Sequence, residues 1–338
     1  MSHRASQVQF LKLASQQIPK GVNAAQHFAE AIDVGVDSMY RRMRGDSALS
    51  MDEACTISKL TSIPLDSAKI DVCKHVMFDC GERIDGIMDY AGIFHRMNDL
   101  MDNILNGTNP MIYYVSLDIP FFYAFPMRAF SKLKALYWGK VILNLPEMQN
   151  MRFNDVPESN EQQDLGRNLY RAYYMTPSVE LWTKNGLYNN LRQVEYAWDS
   201  GMFSDKMEAM DVLDDLENIT HLFQRQVKEG RKINPITGEA TGAPLQTYYS
   251  ELIVSNNTVL VETDQTTWNV VAFNTFNMMV TQSQHYSNLA KPWMELHLAR
   301  SIRLESEKQL EVDVLVQHYL RKITKTRQYI EFKASMLE

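Results

Sequence analysis

The sequence predicts a mainly α-helical protein: an N-terminal helix-turn-helix bundle, a helical linker and a C-terminal α+β domain with a small antiparallel sheet. Three observations predict this fold class. Short amphipathic segments separated by tight turns fill residues 24–66, apolar residues repeat at heptad spacing within residues 82–106, and alternating apolar stretches follow residue 109. We expect the domains to comprise residues 1–75, 76–108 and 109–338.

The first two predicted helices each carry an apolar stripe at helical spacing. The stripe residues are Phe28, Ala29 and Ile32 on the first segment and Met39 and Met43 on the second. Both segments can therefore bury one face in a shared core. The turn between them is Asp33-Val34-Gly35, where aspartate tolerates a left-handed backbone and glycine lacks a clashing Cβ. The chain can reverse direction there at little steric cost.

Burial of the two methionines turns a polar face of the second helix outward, with Tyr40 bordering the core. This face is the predicted DNA-contacting surface, and it comprises Asp37, Ser38, Tyr40, Arg41, Arg42 and Arg44. Guanidinium groups suit phosphate oxygens and the acceptor edge of guanine, which arginine engages with two hydrogen bonds. We expect the arginines to carry such contacts, and Asp37 and Ser38 to modulate base choice near the helix start.

A further helix is predicted after Gly45-Asp46, which ends the second one. Ser50 and Glu53 stand three residues apart and form a capping box, in which each side chain satisfies an unpaired amide at a helix start. The apolar positions that follow at helical spacing close the small core. They are Ala54, Ile57 and Leu60.

This segment resembles the phage-repressor (lambda-repressor or XRE) type of helix-turn-helix, over about the first 70 residues. The resemblance rests on Asp37-Ser38-Met39-Tyr40-Arg41-Arg42-Met43-Arg44-Gly45 and Ala48-Leu49-Ser50-Met51-Asp52-Glu53. It implies a dimeric transcription regulator that binds double-stranded DNA, from a bacterial subgroup with a large C-terminal domain. Two positions depart from the family pattern: Ala25 replaces a frequent glutamine, and Asp33 replaces the usual turn glycine. The alternative is an adaptor whose helix-turn-helix binds protein.

The charge of the chain argues against extensive, sequence-independent binding along nucleic acid. The chain has 34 basic and 41 acidic side chains and a formal net charge of -7. Residues 1–75 contain nine basic and eight acidic side chains, a net charge of +1, so the remainder carries -8. We therefore expect weak nonspecific binding to DNA. The affinity for DNA should depend on the correct orientation of the predicted DNA-contacting surface, which a dimer presents twice.

Residues 82–106 carry apolar residues at alternating spacings of three and four, the pattern of a coiled-coil seam. The predicted dimerisation positions are Ile84, Ile87, Phe94, Asn98, Met101 and Leu105. An inward asparagine such as Asn98 fixes register by pairing with its counterpart in the second chain. The alternative is an ordinary amphipathic helix that packs on the C-terminal domain, because Gly86 and Gly92 weaken a free-standing coil.

The C-terminal region mixes strand and helix patterns. Predicted strands cover residues 111–119, 248–254, 258–263 and 268–273, and predicted helices cover 125–145, 187–203, 205–230 and most of 274–337. Residues 255–257 would form a hairpin turn between two of these strands. Two strands are apolar on both faces, which implies that helices cover each side. Residues 228–246 contain three glycines and two prolines and are predicted to be a long loop.

No catalytic motif emerges from the sequence, so we expect no enzymatic activity, no cofactor and no metal. The spacing of Cys73, His75, Cys80 and His95 matches no recognised zinc pattern. An enzyme with a DNA-binding tag stays open as a further alternative. The aromatic residues after position 113 allow a pocket for a small-molecule effector, although core packing also explains them. No signal peptide or bilayer-spanning segment is predicted, which indicates a cytoplasmic protein.

Overall fold

The computed structural model describes residues 4–336 except 20, 62, 66–75, 82–83, 85, 158, 253–255 and 275–276, and also leaves out the side chains of 87–91, 274 and 277. The chain forms two compact units, Met1–Met77 and Phe78–Glu338. The predicted linker helix belongs to the second unit. No helix in the described ranges combines the length and the apolar composition that crossing a membrane requires.

Within its described residues, the first unit contains four helices around a small core. They are α1 (Ala5–Ser15), α2 (Ala24–Ala31), α3 (Val36–Arg44) and α4 (Met51–Thr61). The Asn23 side chain caps α2 by accepting from the amides of Ala25 and Gln26. Asp33 (φ 52°) lies in the turn after α2, and Gly45 (φ 81°) ends α3; both have the left-handed backbone that short polar residues and glycine tolerate best. The buried core residues are Phe10, Leu11, Ala14, Ala25, Phe28, Ala29, Met39 and Ile57.

The second unit is built on a mixed sheet. Its seven strands are β1 (Met111–Val115), β2 (Ser178–Thr183), β3 (Leu245–Ser250), β4 (Thr258–Glu262), β5 (Thr267–Asn274), β6 (Asn277–Thr281) and β7 (Ile302–Leu304). They are ordered β6-β5-β4-β1-β2-β3-β7. The central strands β1, β2 and β3 pair in parallel, and the outer strands pair antiparallel to their neighbours. The predicted small antiparallel sheet is therefore wrong.

The prediction missed the parallel centre because β2 was not recognised as a strand: its polar residues Ser178, Glu180 and Thr183 are buried together with its apolar ones. All six residues of β2, Ser178–Thr183, are buried, so no exposed face marks the strand in the sequence. The predicted hairpin between residues 248–254 and 258–263 is also wrong. β3 pairs with β2 and β7, whereas β4 pairs with β1 and β5. The last two residues of the predicted strand, 253–254, and the first residue of the expected turn, 255, lie outside the described residues.

Seven helices accompany this sheet in the part of the second unit that the structure describes. They are α5 (Ile87–Leu105), α6 (Arg128–Tyr137), α7 (Asn160–Met175), α8 (Gly186–Asp199), α9 (Lys206–Glu229), α10 (Gln284–Ala299) and α11 (Gln309–Ser335). A π-helical turn, Trp138–Ile142, extends α6, and short 3-10 turns cover Phe121–Ala124, Pro146–Met148, Phe153–Asp155 and Ser306–Lys308. α5 packs on α7, and α9 packs on α6 and α11.

Helices cover both faces of the sheet, as the doubly apolar strands predict. On one face Leu181 packs with Met294 of α10, and on the other Trp182 contacts the Phe223 ring of α9, with 4.6 Å between ring centroids. Successive strand residues point to opposite faces, so Leu181 and Trp182 serve the two sides.

A fully buried carboxylate, Glu180, lies at the centre of β2. It accepts hydrogen bonds from Tyr123 Oη (3.1 Å), from Trp182 Nε1 (3.0 Å) and from Tyr173 Oη. Burial of a carboxylate is tolerated only when such donors replace water. The nearby Lys232 ammonium, also fully buried, donates to the carbonyl oxygens of Tyr173 and Thr176, both at 2.6 Å.

We expect Glu180→Gln to lower the free energy of unfolding of the second unit by about 3 kcal/mol. The glutamine amide presents hydrogens to the tyrosine and indole donors, so buried polar groups lose their acceptors. Urea denaturation followed by tryptophan fluorescence measures the change. Glu229→Gln, at an exposed position on α9, is the matched control and should leave the midpoint unchanged. An equal midpoint for both variants would contradict the role of Glu180.

Candidate nucleic-acid interface

The orientation of α3 is set by one buried side chain. Met39 has no exposed surface and belongs to the cluster that contains Phe28 of α2 and Ile57 of α4. Met43 is half-buried against the same cluster. Because residues on the far side of a helix point away from such an anchor, α3 presents its remaining face to solvent.

Three of the predicted contact residues form an exposed ridge along this face. Asp37, Arg41 and Arg44 are spaced by four and three residues and are all exposed, so they lie in one row on the helix surface. Tyr40 lies beside the ridge with 39% of its surface exposed, and its hydroxyl accepts a hydrogen bond from Asn23 Nδ2 at 3.1 Å. These four residues are accessible to a partner in the way the sequence predicts.

Arg42 and Ser38 are instead engaged within the protein. Arg42 Nη2 donates to Glu53 Oε1 at 2.8 Å and Arg42 Nε to Glu53 Oε2 at 3.3 Å, and Arg42 Nη1 donates to the Ser38 hydroxyl. Only 15% of the Arg42 side chain is exposed. The sequence pattern predicts that both side chains are free to contact DNA, whereas the structure engages them within the protein. The spacing of residues within α3 does not reveal this, because the partner Glu53 belongs to α4.

Glu53 takes part in two interactions at the start of α4, a capping box with Ser50 and an ion pair with Arg42. Its carboxylate accepts from the amide of Ser50 at 2.8 Å, and the Ser50 hydroxyl accepts from the amide of Glu53 at 3.1 Å, so the predicted capping box is confirmed. Burial acts to raise the pKa of the Glu53 carboxyl, but the hydrogen bonds from Arg42 and Ser50 outweigh it and lower that pKa. The Glu53 carboxylate thus connects α3, through Arg42, to the beginning of α4.

The two outward arginines differ in their surroundings. Arg44 Nε donates to the Asp46 carboxylate at 2.9 Å, and both side chains are more than half exposed. An ion pair of this kind between solvated groups contributes little energy and exchanges readily for another anion. Arg41 has no hydrogen bond or ion pair within the described part of the chain. Both guanidinium groups are therefore available to an incoming phosphate or base.

The loop after α3 is held by the side chains of Arg4, which immediately precedes α1, and of Gln7 in α1, neither of which the sequence analysis identified. Arg4 Nη1 donates to the carbonyl oxygens of Gly45 and Asp46, both at 2.9 Å. The Gln7 amide donates to the carbonyl oxygens of Arg42 and Ser47 and accepts from the amide of Leu49. Each contact joins residues more than 30 positions apart, so no local pattern reveals it. The carboxyl end of α3 is consequently fixed by hydrogen bonds.

The predicted dimerisation residues lie mainly against the chain itself. Asn98 Nδ2 donates to the Leu165 carbonyl of α7 at 3.2 Å, and Met101 is buried in the core of the second unit. Ile84 and Phe94 are half-buried and pack on that core, whereas Leu105 is 42% exposed. The side chain of Ile87 lies outside the described residues. These contacts match the alternative of an amphipathic helix that packs on its own domain.

Within the described ranges, no group of three histidine, cysteine, aspartate or glutamate side chains is placed to hold a metal ion. Cys73 and His75 lie outside those ranges. Comparisons of the chain with protein-family models, with curated proteins and with solved structures found no match.

We expect Glu53→Gln to destabilise the first unit by about 1–2 kcal/mol at pH 7 because it removes the charged partner of a largely buried arginine. The pKa of Glu53 is lowered by folding, so its contribution is present above its unfolded pKa and disappears as the pH falls through the folded value. The difference between variant and wild type should therefore shrink below about pH 4.

Hydrogen exchange of the α3 and α4 amides at pH 7 and at pH 3 measures this effect locally. Asp52→Asn, at the exposed neighbouring position on α4, is the matched control and should show no such loss at neutral pH. A destabilisation by Glu53→Gln that stays constant between the two pH values would contradict the ionised pair.

Proposed function

We propose that the chain is a sequence-specific DNA-binding transcription regulator that places α3 in the major groove and acts as a homodimer in the cytoplasm. The observation that carries this proposal is the exposed ridge of Asp37, Arg41 and Arg44, opposite a fully buried Met39. A helix used for recognition must hold its outward side chains at fixed positions, and α3 is anchored along its inner face and at its carboxyl end.

The arginines of α3 take different roles in this proposal. Arg41 and Arg44 bind phosphate oxygens or the O6 and N7 acceptors of guanine. Arg42 is a positioning residue, because its guanidinium holds α3 against Glu53 of α4. Asp37 lies in the first turn of α3, where its carboxylate also interacts favourably with the helix dipole. The Asp37 carboxylate repels phosphate groups from the amino end of α3. The helix is therefore oriented with Arg41 and Arg44 towards the groove.

The nearly neutral first unit makes a two-copy arrangement necessary for useful affinity. Residues 1–75 carry a net charge of only +1, so few counterions are released when one copy binds. A dimer doubles the contacts and reads two half-sites. α5 uses most of its predicted seam within its own chain, so we place the dimer contact elsewhere in the second unit. That unit then senses a ligand or recruits a partner.

A second candidate function is an adaptor that binds protein through the first unit. It is favoured by exposed apolar surface on the first unit: Val36 and Tyr40 of α3 are 37% and 39% exposed, and Val22, before α2, is 50% exposed. Aromatic and apolar groups next to arginine are typical of protein interfaces. An adaptor binds its protein partner with little dependence on salt and shows no selection among DNA fragments.

Genomic DNA fragments selected by the purified protein, followed by shift assays at controlled salt, separate the two candidates. We expect Arg41→Ala combined with Arg44→Ala to weaken binding of the selected fragment tenfold or more, because about one contact is lost at each position. The slope of log affinity against log salt should fall by about one to two. Thermal stability should change little, since both side chains are exposed.

Lys12→Ala combined with Lys59→Ala is the matched control, because it removes two exposed positive charges from α1 and α4. It should retain the salt slope and most of the affinity. Equal weakening by the two double variants would indicate nonspecific charge attraction. Failure of the wild-type protein to enrich any fragment would reject the DNA-binding function and favour the adaptor.

A further inference from the structure

A groove with a volume of about 480 Å³ lies on the first unit, between α1 and the carboxyl end of α3. The described residues that line it come from both helices and from the residue that follows α1. They are Val8, Leu11, Lys12, Ser15, Gln16 and Met43. The groove lies within the range of about 300–1,000 Å³ that is usual for sites of small organic molecules, so it has room for such a ligand.

The lining positions of α1 form one stripe on the helix surface. They recur at spacings of three and four residues from Val8 to Gln16, which directly follows the last residue of α1. At a rise of about 1.5 Å per residue, this stripe is about 12 Å long. The groove is consequently elongated along the helix axis, and a chain-like molecule suits it better than a compact one.

Apolar side chains provide the floor of the groove. Leu11 has no exposed surface, and Val8 and Met43 are half-buried. Ser15 donates its hydroxyl hydrogen to the Leu11 carbonyl oxygen at 2.7 Å, so this hydrogen is already used within α1. A methionine side chain is flexible and polarizable, and it adapts to the shape of an apolar neighbour. The floor therefore favours an aliphatic chain.

Lys12 provides the charge at the rim of the groove. Its side chain is exposed and has no hydrogen bond or ion pair in the part of the chain that the structure describes. α1 contains no acidic residue, and none of the described residues that line the groove is acidic. A lysine can lay its methylene stem on apolar surface while its ammonium group stays in water. A negatively charged head group is therefore attracted to this rim.

We propose that this groove binds an aliphatic monocarboxylate, whose chain lies on Val8, Leu11 and Met43 and whose head group pairs with Lys12. The charge of Lys12 selects an anion, and the elongated apolar floor selects a chain. The bound chain contacts both α1 and α3, so it stabilises the folded first unit. Carboxylate binding is independent of the proposed DNA binding, because no lining residue belongs to the exposed ridge of α3.

Decanoate, kept below its micelle concentration, is the probe, and decyltrimethylammonium has the same chain length and the opposite charge. We expect decanoate, added to the full-length protein with carbon-13 in its methionine methyl groups, to shift the Met43 signal saturably. Decyltrimethylammonium should bind about threefold more weakly or less, because an exposed ion pair contributes modest free energy. Absence of a saturable shift with decanoate, or equal binding of the two amphiphiles, would overturn the proposal.

Bound decanoate should also slow hydrogen exchange in the first unit. At a concentration about nine times its Kd, the α1 and α3 amides that exchange through unfolding should do so about tenfold more slowly, because the ligand binds the folded unit. The α9 amides of the second unit are the internal control and should be unaffected. Equal slowing in both units would contradict a site in this groove.

Two charge changes at the rim test the head-group contact. Lys12→Gln removes the attractive charge, and Gln16→Glu adds a repulsive one, so each should weaken decanoate binding about threefold. Gln17→Glu is the matched control, because Gln17 is the exposed neighbour of Gln16 and does not line the groove. It should leave the Kd nearly unchanged. Wild-type affinity in Lys12→Gln and Gln16→Glu would overturn the assignment.

Val8→Phe tests the apolar floor, because the larger side chain fills the groove from α1 and should abolish the saturable shift of the Met43 signal. Circular dichroism establishes that the variant is folded, and the exposed positions of the charge variants keep the test decisive if it is not. A Met43 signal that changes with protein concentration in the absence of decanoate would show that a second copy occupies the groove. That outcome would also overturn the proposal.

Discussion

The buried carboxylate of Glu180 is the constraint around which the second unit is arranged. β2 lies between two parallel neighbours and is covered on both faces, so this carboxylate must find donors inside the protein. Tyr123 and Tyr173 provide them from a 3-10 turn and from α7. The same turn contributes Phe121, whose ring packs edge-on against Phe125 with 4.7 Å between centroids, so the requirement to satisfy one buried charge also fixes part of the aromatic core.

Some charged residues of the first unit hold its helices together, and others are exposed to solvent. Arg42 and Glu53 form a largely buried pair that holds two helices together, whereas Arg41 and Arg44 remain in contact with solvent. Loss of one partner from a buried pair is costly, while exposed charges add little stability. The exposed arginines therefore carry little of the folding energy, and their positions are explained better by a partner than by the fold.

Local patterns predicted much of the helical structure and the approximate positions of β1, β3, β4 and β5, but not the parallel pairing at the centre of the sheet. The turn around Asp33 and the capping box of Ser50 and Glu53 are encoded within a few residues, so the sequence reveals them. Parallel pairing depends on distant residues: β1 meets β2 only after more than 60 intervening positions. The ion pair of Arg42 could not be predicted for the same reason, because its partner lies on another helix. Asn98 fits a coiled-coil seam by spacing alone, yet its side chain donates to α7.

The acidic balance of the chain limits how DNA can be approached. The part after residue 75 carries a net charge of -8, so its long-range field repels a phosphate backbone, and residues 1–75 offset this by only +1. Screening confines that field to about 8–10 Å at physiological salt. In the DNA binding that we propose, attraction must then come from direct contact with the exposed guanidinium groups of α3. Such contact is short-ranged and depends on orientation, which favours selection of particular sites over accumulation on DNA in general.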